Sequence, residues 1–439
     1  MAQGEIWLLV GLFVATIPLV AIARRADIPY PIVLVIGGLI MGFVPGLPQI
    51  TLDPNLVLVI FLPPLLYWEA ITAPTDVMQA NAAPIWFLVI GLVLATTAAV
   101  ALVAHGVIPN LAWAMAFVLG AIVAPTDELA SAPILERMRI PRRLIAIVEG
   151  ESLLNDATSL ILYTSAVTAA VTGVFHLGES VAQFFLAGIG AVLLGLAVGR
   201  IAVEGWRRIK DTQLQSVISC VLPFLTYLLA DRLGLSGVLA VVFAGITANR
   251  FTPSVMTPTA RMQLTGYYET VVFLANAVLF LLVGLQLHRL AASVLTEYSW
   301  QALLWYAFAV NATVLGVRFV WLLLQSRTPE ARRMMVTWRH ALIAAWSGLR
   351  GSVSLAAALA IPATIAGGAH LPHRDLVIFL TFSVILVTLV GGGLTLPLVI
   401  RRLNIPAGAS ETEEVRHATD AMYAAAIEKV DDMARAGQI

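Results

Sequence analysis

Three acidic residues, Glu149, Glu151 and Asp156, lie within eight positions at the start of the stretch EGESLLNDATSLILY. On a helix, Ser152 and Asp156 share one face at i and i+4, and Glu151 and Asn155 share the adjacent face. Hydroxyl and carboxylate groups are oxygen ligands, which suit a hard cation. The spacing therefore predicts a site where a hard cation and a proton compete for the carboxylate of Asp156.

The residue before Asp156 bears on the stoichiometry of such a site. Two adjacent carboxylates could exchange two protons for one monovalent cation. Asn155 stands at the neighbouring position, so only one carboxylate of the pair changes its charge. The pair predicts one-for-one, electroneutral exchange.

The rest of the chain indicates that this stretch lies inside a membrane. Of its 439 residues, 59% are hydrophobic and 12% are charged, and the mean hydropathy is +0.90, whereas soluble domains carry about 25% charged residues. The apolar segments are continuous rather than alternating, which favours helices over a β-barrel. The single cysteine, Cys220, excludes an internal disulfide. We therefore expect an all-helical polytopic membrane protein with no cleaved signal peptide.

Counting apolar segments predicts thirteen spans. A transmembrane region over 1–402 is followed by a short cytoplasmic tail over 403–439. The spans are expected near 5–23, 30–47, 54–72, 83–104, 110–135, 143–172, 180–203, 212–231, 234–249, 265–288, 300–324, 338–367 and 376–400.

The basic residues predict how these spans are oriented. The loops after spans 1, 3, 5, 7, 9 and 11 hold sixteen arginines and lysines, whereas the other loops hold three, Arg232, Arg289 and Arg374. Because basic loops stay in the cytoplasm, the N-terminus is expected outside and the tail inside.

Charges also lie within the predicted spans, where they are costly and normally paired. The acids there outnumber the bases, so some carboxylates must be protonated, face water or bind an exchangeable cation. The acids are Glu69, Asp127, Glu128, Glu149, Glu151 and Asp156, and the bases are Arg318 and Arg350.

Spans 5 and 12 carry signs of broken helices. Pro125 precedes Asp127 in the middle of span 5, and Gly348 and Gly351 flank Arg350 in span 12. An acid suits the N-terminal end of a half-helix, and an arginine suits a C-terminal end. The two breaks lie seven spans apart, so they belong to segments of opposite orientation. This predicts inverted repeats with two crossed broken helices, as in secondary transporters.

Several motifs together resemble the monovalent cation/proton antiporters, the NhaP-like bacterial proteins related to animal sodium/proton exchangers. They are EGESLLNDATSLILY, GAIVAPTDELASAPILERMRIPRRL, LGLSGVLAVVFAGI, FLLVGLQL and SGLRGSVSLAAALAIP, spread over about 1–402. The resemblance implies a homodimer in the plasma (inner) membrane, no cofactor, and elevator-like exchange of Na⁺ or Li⁺ for H⁺. It also implies core helices over 83–172 and 300–400, dimerisation helices over 1–72 and 212–288, and a linker helix over 180–203.

The resemblance assigns roles to individual residues. Asp156 is the carboxylate that binds cation or proton, Asn155 is its partner, and Ser152 is a cation ligand. Thr126, through its backbone carbonyl, and Asp127 join the site from the broken helix. Glu151 is expected to pair with Arg318, and Arg350 belongs to the second broken helix.

Two positions depart from the family pattern. Glu128 adds an acid directly after Asp127, where it alters the pH response or faces a cytoplasmic funnel. Trp68 separates Glu69 from the preceding PPLLY motif. One residue turns a helical side chain by about 100°, so Glu69 is a less direct candidate ligand.

Other functions were weighed against exchange of Na⁺ for H⁺. The same fold could exchange K⁺ for H⁺, because the candidate ligands do not set a cavity size. A cation channel would need a repeated filter, and an intramembrane protease would need a histidine near Ser236. No histidine is central in a predicted span, and nothing in the sequence indicates an enzyme or a nucleic-acid partner. The expected partners are the lipid bilayer, monovalent cations and a second copy of the chain.

Overall fold

The computed structural model describes residues 3–26, 28–44, 54–80, 82–173, 177–327, 337–365 and 368–404, together with part of 419–435. Every regular element in these residues is a helix, and their only β-type pairing is two isolated bridges, Asp127–Leu349 and Thr364–His370. The predicted all-helical class is confirmed.

The helices account for most of the described residues. Two π-helical turns, Phe87–Leu92 and Val387–Gly392, each lead directly from one α-helix into the next. The helices are α1 (Gln3–Ala26), α2 (Tyr30–Gly42), α3 (Pro54–Thr72), α4 (Thr75–Ala80), α5 (Ala82–Trp86), α6 (Val93–Val107), α7 (Trp113–Val123), α8 (Ala132–Arg137), α9 (Arg142–Thr172), α10 (Leu177–Arg208), α11 (Thr212–Arg232), α12 (Gly237–Val255), α13 (Pro258–Glu297), α14 (Trp300–Gln325), α15 (Trp338–Trp346), α16 (Ser352–Leu359), α17 (Arg374–Leu386) and α18 (Gly393–Leu403).

Among the described residues, seven helical segments are long and apolar enough to cross a membrane, and three shorter apolar helices accompany them. The number of thirteen crossings remains a prediction. The helices do not coincide with the predicted spans at every end. Helix α13 extends beyond the predicted span 265–288 at both ends, and Thr257 caps its start by accepting the N–H of Ala260 at 3.3 Å. Parts of 30–47 and 338–367 lie outside the described residues.

Spans 5 and 12 are each interrupted. Helix α7 ends at Val123, shortly before Pro125, which has no N–H to continue the ladder, and α8 begins only at Ala132. Helices α15 and α16 are separated by 347–351. The two non-helical segments meet in an antiparallel bridge, in which the N–H of Asp127 donates to the carbonyl of Leu349 at 2.8 Å.

The packing places the acidic helix α9 between two groups of helices. Helix α2 packs along α13, and α3 packs along α12, whereas α7 packs against α6, α9 and α17. Helix α9 contacts α3 and α12 as well as α7. It begins after Pro141 and ends before Gly173, whose φ of 73° glycine adopts without strain. The predicted division into core, dimerisation and linker helices remains a prediction.

Candidate cation site at the crossing of two broken helices

The carboxylate of Asp127 lies at the N-terminal end of the half-helix α16. Its Oδ2 accepts the N–H of Ser352 at 2.9 Å and the hydroxyl of Ser352 at 3.3 Å, and its Oδ1 accepts the N–H of Leu129 at 2.7 Å. Gly351 lies so close to this carboxylate that a Cβ atom there would overlap it. Asp127 therefore neutralises the free N–H groups of the second broken helix, as its charge suits.

Arg350 performs the opposite function at the C-terminal end of α7. Its Nε donates to the carbonyl of Val123 at 3.1 Å, and its Nη1 donates to the carbonyl of Gly348 at 2.5 Å. Its own N–H donates to Thr388 Oγ1 at 3.2 Å, in the π-helical turn before α18. The guanidinium thus satisfies carbonyls that the broken ladders leave without partners.

Arg318 and Glu151 form an ion pair buried inside the helical bundle. Both guanidinium Nη atoms contact the carboxylate, Nη2 donating to Oε2 at 3.0 Å, and each residue is 1% exposed. Arg318 also donates to the carbonyls of Ala344, at 2.9 Å, and Ala345, at 3.2 Å, in the last turn of α15. The pair therefore ties α9 and α14 to the end of a half-helix. Its proposed structural role remains a prediction.

Thr126 connects the first break to α9 through three hydrogen bonds. Its carbonyl accepts the hydroxyl of Ser152 at 2.9 Å, and its Oγ1 accepts the side-chain amide of Asn155 at 2.9 Å. Its Oγ1 in turn donates to Glu151 Oε1 at 3.2 Å. Thr126, Ser152 and Asn155 are thereby brought together, and their network continues into the ion pair with Arg318.

Asp156 lies one turn beyond Ser152 on α9 and is 5% exposed. Its backbone carbonyl accepts the hydroxyl of Ser159 at 2.9 Å. In the part of the chain that the structure describes, no hydrogen bond or ion pair engages its carboxylate. The charged groups that act on it are Glu69 and Asp127, which are acids as well.

Glu69 and Glu128 complete an acidic cluster around Asp156. Glu69 is on α3 and Glu128 follows Asp127 in the first break, and both lie within electrostatic range of Asp156. Each has a buried Oε2 atom without a hydrogen-bond partner in the described structure. Trp68, the residue before Glu69, does not belong to the cluster and stacks on Tyr268, with ring centroids 5.6 Å apart. Despite the intervening tryptophan, Glu69 therefore belongs to the cluster.

The cluster lacks a fixed cation among the described residues. Arg318 and Arg350 are the buried bases there, and their donors already serve Glu151 and the carbonyls of the half-helices. Buried carboxylates without such partners must hold a proton or bind a cation that is not part of the protein.

Several residues of the site were not predicted from the sequence. Ser352, at the start of α16, donates to Asp127, which lies 225 positions away in the chain. Thr388 accepts the N–H of Arg350, which lies 38 positions away. A Cβ atom at Gly348 would overlap the guanidinium of Arg318. The glycines were interpreted only as helix breakers, and their need for close approach depends on partners that are remote in sequence.

Ser236 has an ordinary structural role. Its side chain caps α12 by accepting the N–H of Leu239 at 3.3 Å. A serine that serves as an N-cap needs no catalytic explanation.

Two crossed broken helices that hold a buried carboxylate inside an apolar helical bundle define the class of secondary transporters. A family model described as sodium/hydrogen exchanger, transmembrane, matches residues 9–402. The chain belongs to this family, which consists of transporters rather than enzymes, and the resemblance predicted from the motifs is confirmed.

Individual relatives agree with this assignment. An uncharacterized Na⁺/H⁺ exchanger of Mycobacterium tuberculosis (strain ATCC 25618 / H37Rv) is 32% identical over 438 residues, which cover 97% of this chain and 80% of that protein. The sodium, potassium, lithium and rubidium/H⁺ antiporter of Bacillus pumilus is 30% identical, covering 95% of this chain and 65% of that protein.

A solved structure shows the same fold. The sodium proton antiporter MjNhaP1 from Methanocaldococcus jannaschii matches with a TM-score of 0.71 and 19% identity, over 91% of this chain and 99% of that one. The predicted fold of a helical antiporter embedded in a membrane is thereby confirmed.

Proposed function

We propose that the protein exchanges a monovalent cation, Na⁺ or Li⁺, for H⁺ by competition of the two at Asp156. The carboxylate of Asp156 carries this proposal, because it is buried, surrounded by acids and without a protein cation among the described residues. The other oxygen ligands for the cation are contributed or positioned by Ser152, Asn155, Thr126 and Glu69.

The placement of the acids supports alternating access by an elevator-like motion. Asp156 is on α9, whereas Glu69 is on α3, which packs along α12. An ionised, unloaded Asp156 would repel Glu69 and would be costly to move past apolar helices. Binding of either a cation or a proton neutralises that charge. When the site moves only with a cation or a proton bound to Asp156, each cation carried in one direction is exchanged for a proton. No uncoupled movement of either ion then occurs.

The half-helix ends do not take part in this change of charge. Asp127 and Arg350 keep their hydrogen bonds to the opposite broken helix. Asn155 adds no second ionisable group beside Asp156, which supports one-for-one, electroneutral exchange. We further propose a homodimer in the plasma membrane with the N-terminus outside.

K⁺ is the alternative cargo. The similarity to the Bacillus pumilus antiporter supports this alternative, because the name of that protein includes potassium and rubidium beside sodium and lithium. The oxygen ligands of the site suit any of these hard cations.

Reconstitution in liposomes tests the proposed function. Vesicles with a trapped pH dye receive a pH gradient and then Na⁺, Li⁺, K⁺ or choline chloride. We expect proton flux with Na⁺ and none with choline. Proton flux with K⁺ and not with Na⁺ or Li⁺ would identify K⁺ as the transported cation. A cation current without proton movement would favour a channel.

A further inference from the structure

A cleft of about 560 Å³ lies at one end of the helical bundle, and Leu129, whose N–H donates to Asp127, is among its lining residues. Its walls come from α1, the start of α2, α8, α13 and α18. None of Asp156, Asn155, Ser152, Thr126 and Glu69 lines it. The candidate ligands of the transported cation therefore do not form the walls of this cleft.

Three arginines from three helices line the cleft. They are Arg24 at the end of α1, Arg137 at the end of α8 and Arg401 near the end of α18, and all three are exposed. The lining residues in the described part of the chain include no acid. The cleft is thus suited to an anion, and phosphate is a preferred partner of arginine.

Apart from Tyr30, the side chains of the remaining wall are apolar. Val20, Ile28, Ile134, Phe273 and Leu394 line the cleft beside the arginines. Leu394 is 46% exposed. The outer surfaces of the two flanking helices continue this apolar character, with Ile17 and Leu398 exposed. In a membrane, such surfaces contact acyl chains. The ligand that fits both parts has a phosphate and a hydrocarbon chain.

We propose that an anionic phospholipid binds in this cleft, with its phosphate at Arg24, Arg137 and Arg401 and one acyl chain along the apolar wall. The arginines end helices on the side that the distribution of basic residues assigns to the cytoplasm, where anionic lipids are enriched. The bound lipid bridges α1 and α2 to α8 and α18, so it stabilises their association.

Lipid binding is measured on the purified protein by native mass spectrometry and by thermal unfolding, with dioleoylphosphatidylglycerol, dioleoylphosphatidylcholine and glycerol phosphate as probes. The variant Arg24→Gln/Arg401→Gln removes two charges of the cleft. Arg25→Gln/Arg402→Gln is its matched control, because these exposed neighbours are on the same helices and do not line the cleft.

We expect phosphatidylglycerol to bind and to raise the unfolding temperature of the wild type more than phosphatidylcholine does. A lipid-facing arginine contributes about fivefold in affinity, so the cleft variant should lose roughly 25-fold and the control little. Leu394→Trp, which narrows the cleft without changing charge, should also weaken binding; it serves as the test if the arginine variant does not fold.

Two results would overturn the proposal. An equal loss of lipid affinity in the cleft variant and in its control would mean that the general charge of the surface attracts the lipid. Equal stabilisation by glycerol phosphate would mean that the cleft recognises phosphate alone and that no acyl chain contributes.

Discussion

Asp127 and Arg350 each cap the broken helix to which the other belongs. Asp127 follows the end of α7 and accepts the N–H of Ser352 at the start of α16, at 2.9 Å. Arg350 precedes α16 and donates to the carbonyl of Val123 at the end of α7, at 3.1 Å. This exchange of partners satisfies the free ends of both breaks with fixed protein charges. Glu151 is likewise engaged by Arg318, so Glu69, Glu128 and Asp156 are the acids near the crossing that remain available for cations and protons.

The ion pair of Glu151 and Arg318 should be necessary for stability. Glu151→Met leaves the guanidinium buried without its carboxylate, and we expect the free energy of unfolding to fall by roughly 3–5 kcal/mol. The double variant Glu151→Met/Arg318→Met should lose less than the sum of the two single variants. Unfolding in detergent, followed for all three variants, measures the coupling, and simple additivity would contradict a direct interaction.

The hydroxyl of Thr126 should contribute through its bonds to Asn155 and Glu151. Thr126→Val removes both bonds and leaves their partners buried, which should destabilise the protein by about 1–3 kcal/mol. Thr97→Val is the control, because Thr97 Oγ1 is buried without a partner in the described structure. That control should keep or raise stability, and equal losses in the two variants would show that the network is unimportant.

The close approach at Gly351 should tolerate no side chain. Gly351→Ala places a Cβ atom on the carboxylate of Asp127, so the crossing must shift, at a cost of about 1–3 kcal/mol. Gly316→Ala, on α14, meets no atom within 4 Å and should be neutral or stabilising. Both unfolding and transport are measured, and a fully active, stable Gly351→Ala variant would contradict the described crossing.

The pair Asn155–Asp156 should determine how transport responds to voltage. Wild-type exchange in liposomes is expected to be insensitive to a membrane potential that is imposed without adding K⁺. Asn155→Ser adds no charge and should stay insensitive, whereas any exchange that Asn155→Asp retains should respond to voltage. Voltage-dependent transport by the wild type would refute one-for-one exchange.

The sequence was sufficient for the helices, both breaks and the acids, because long apolar runs and mid-span Pro, Gly and charge depend on local chemistry. It did not predict Ser352 or Thr388 as partners at the crossing, since those contacts join segments far apart in the chain. The role of Glu69 as a cation ligand stays a prediction. The phase of one helix is set by packing, and here the tryptophan stacks on Tyr268, while Glu69 acts on Asp156.

Competition at Asp156 is tested most directly by the half-saturating Na⁺ concentration for exchange as a function of pH, with Asp156→Asn and the exposed Asp231→Asn as variants. We predict that this concentration rises as the pH falls while the maximal rate is preserved. Asp231→Asn should behave like the wild type, and Asp156→Asn should show no exchange. A half-saturating concentration independent of pH, or exchange that survives in Asp156→Asn, would contradict the proposal that cation and proton share this carboxylate.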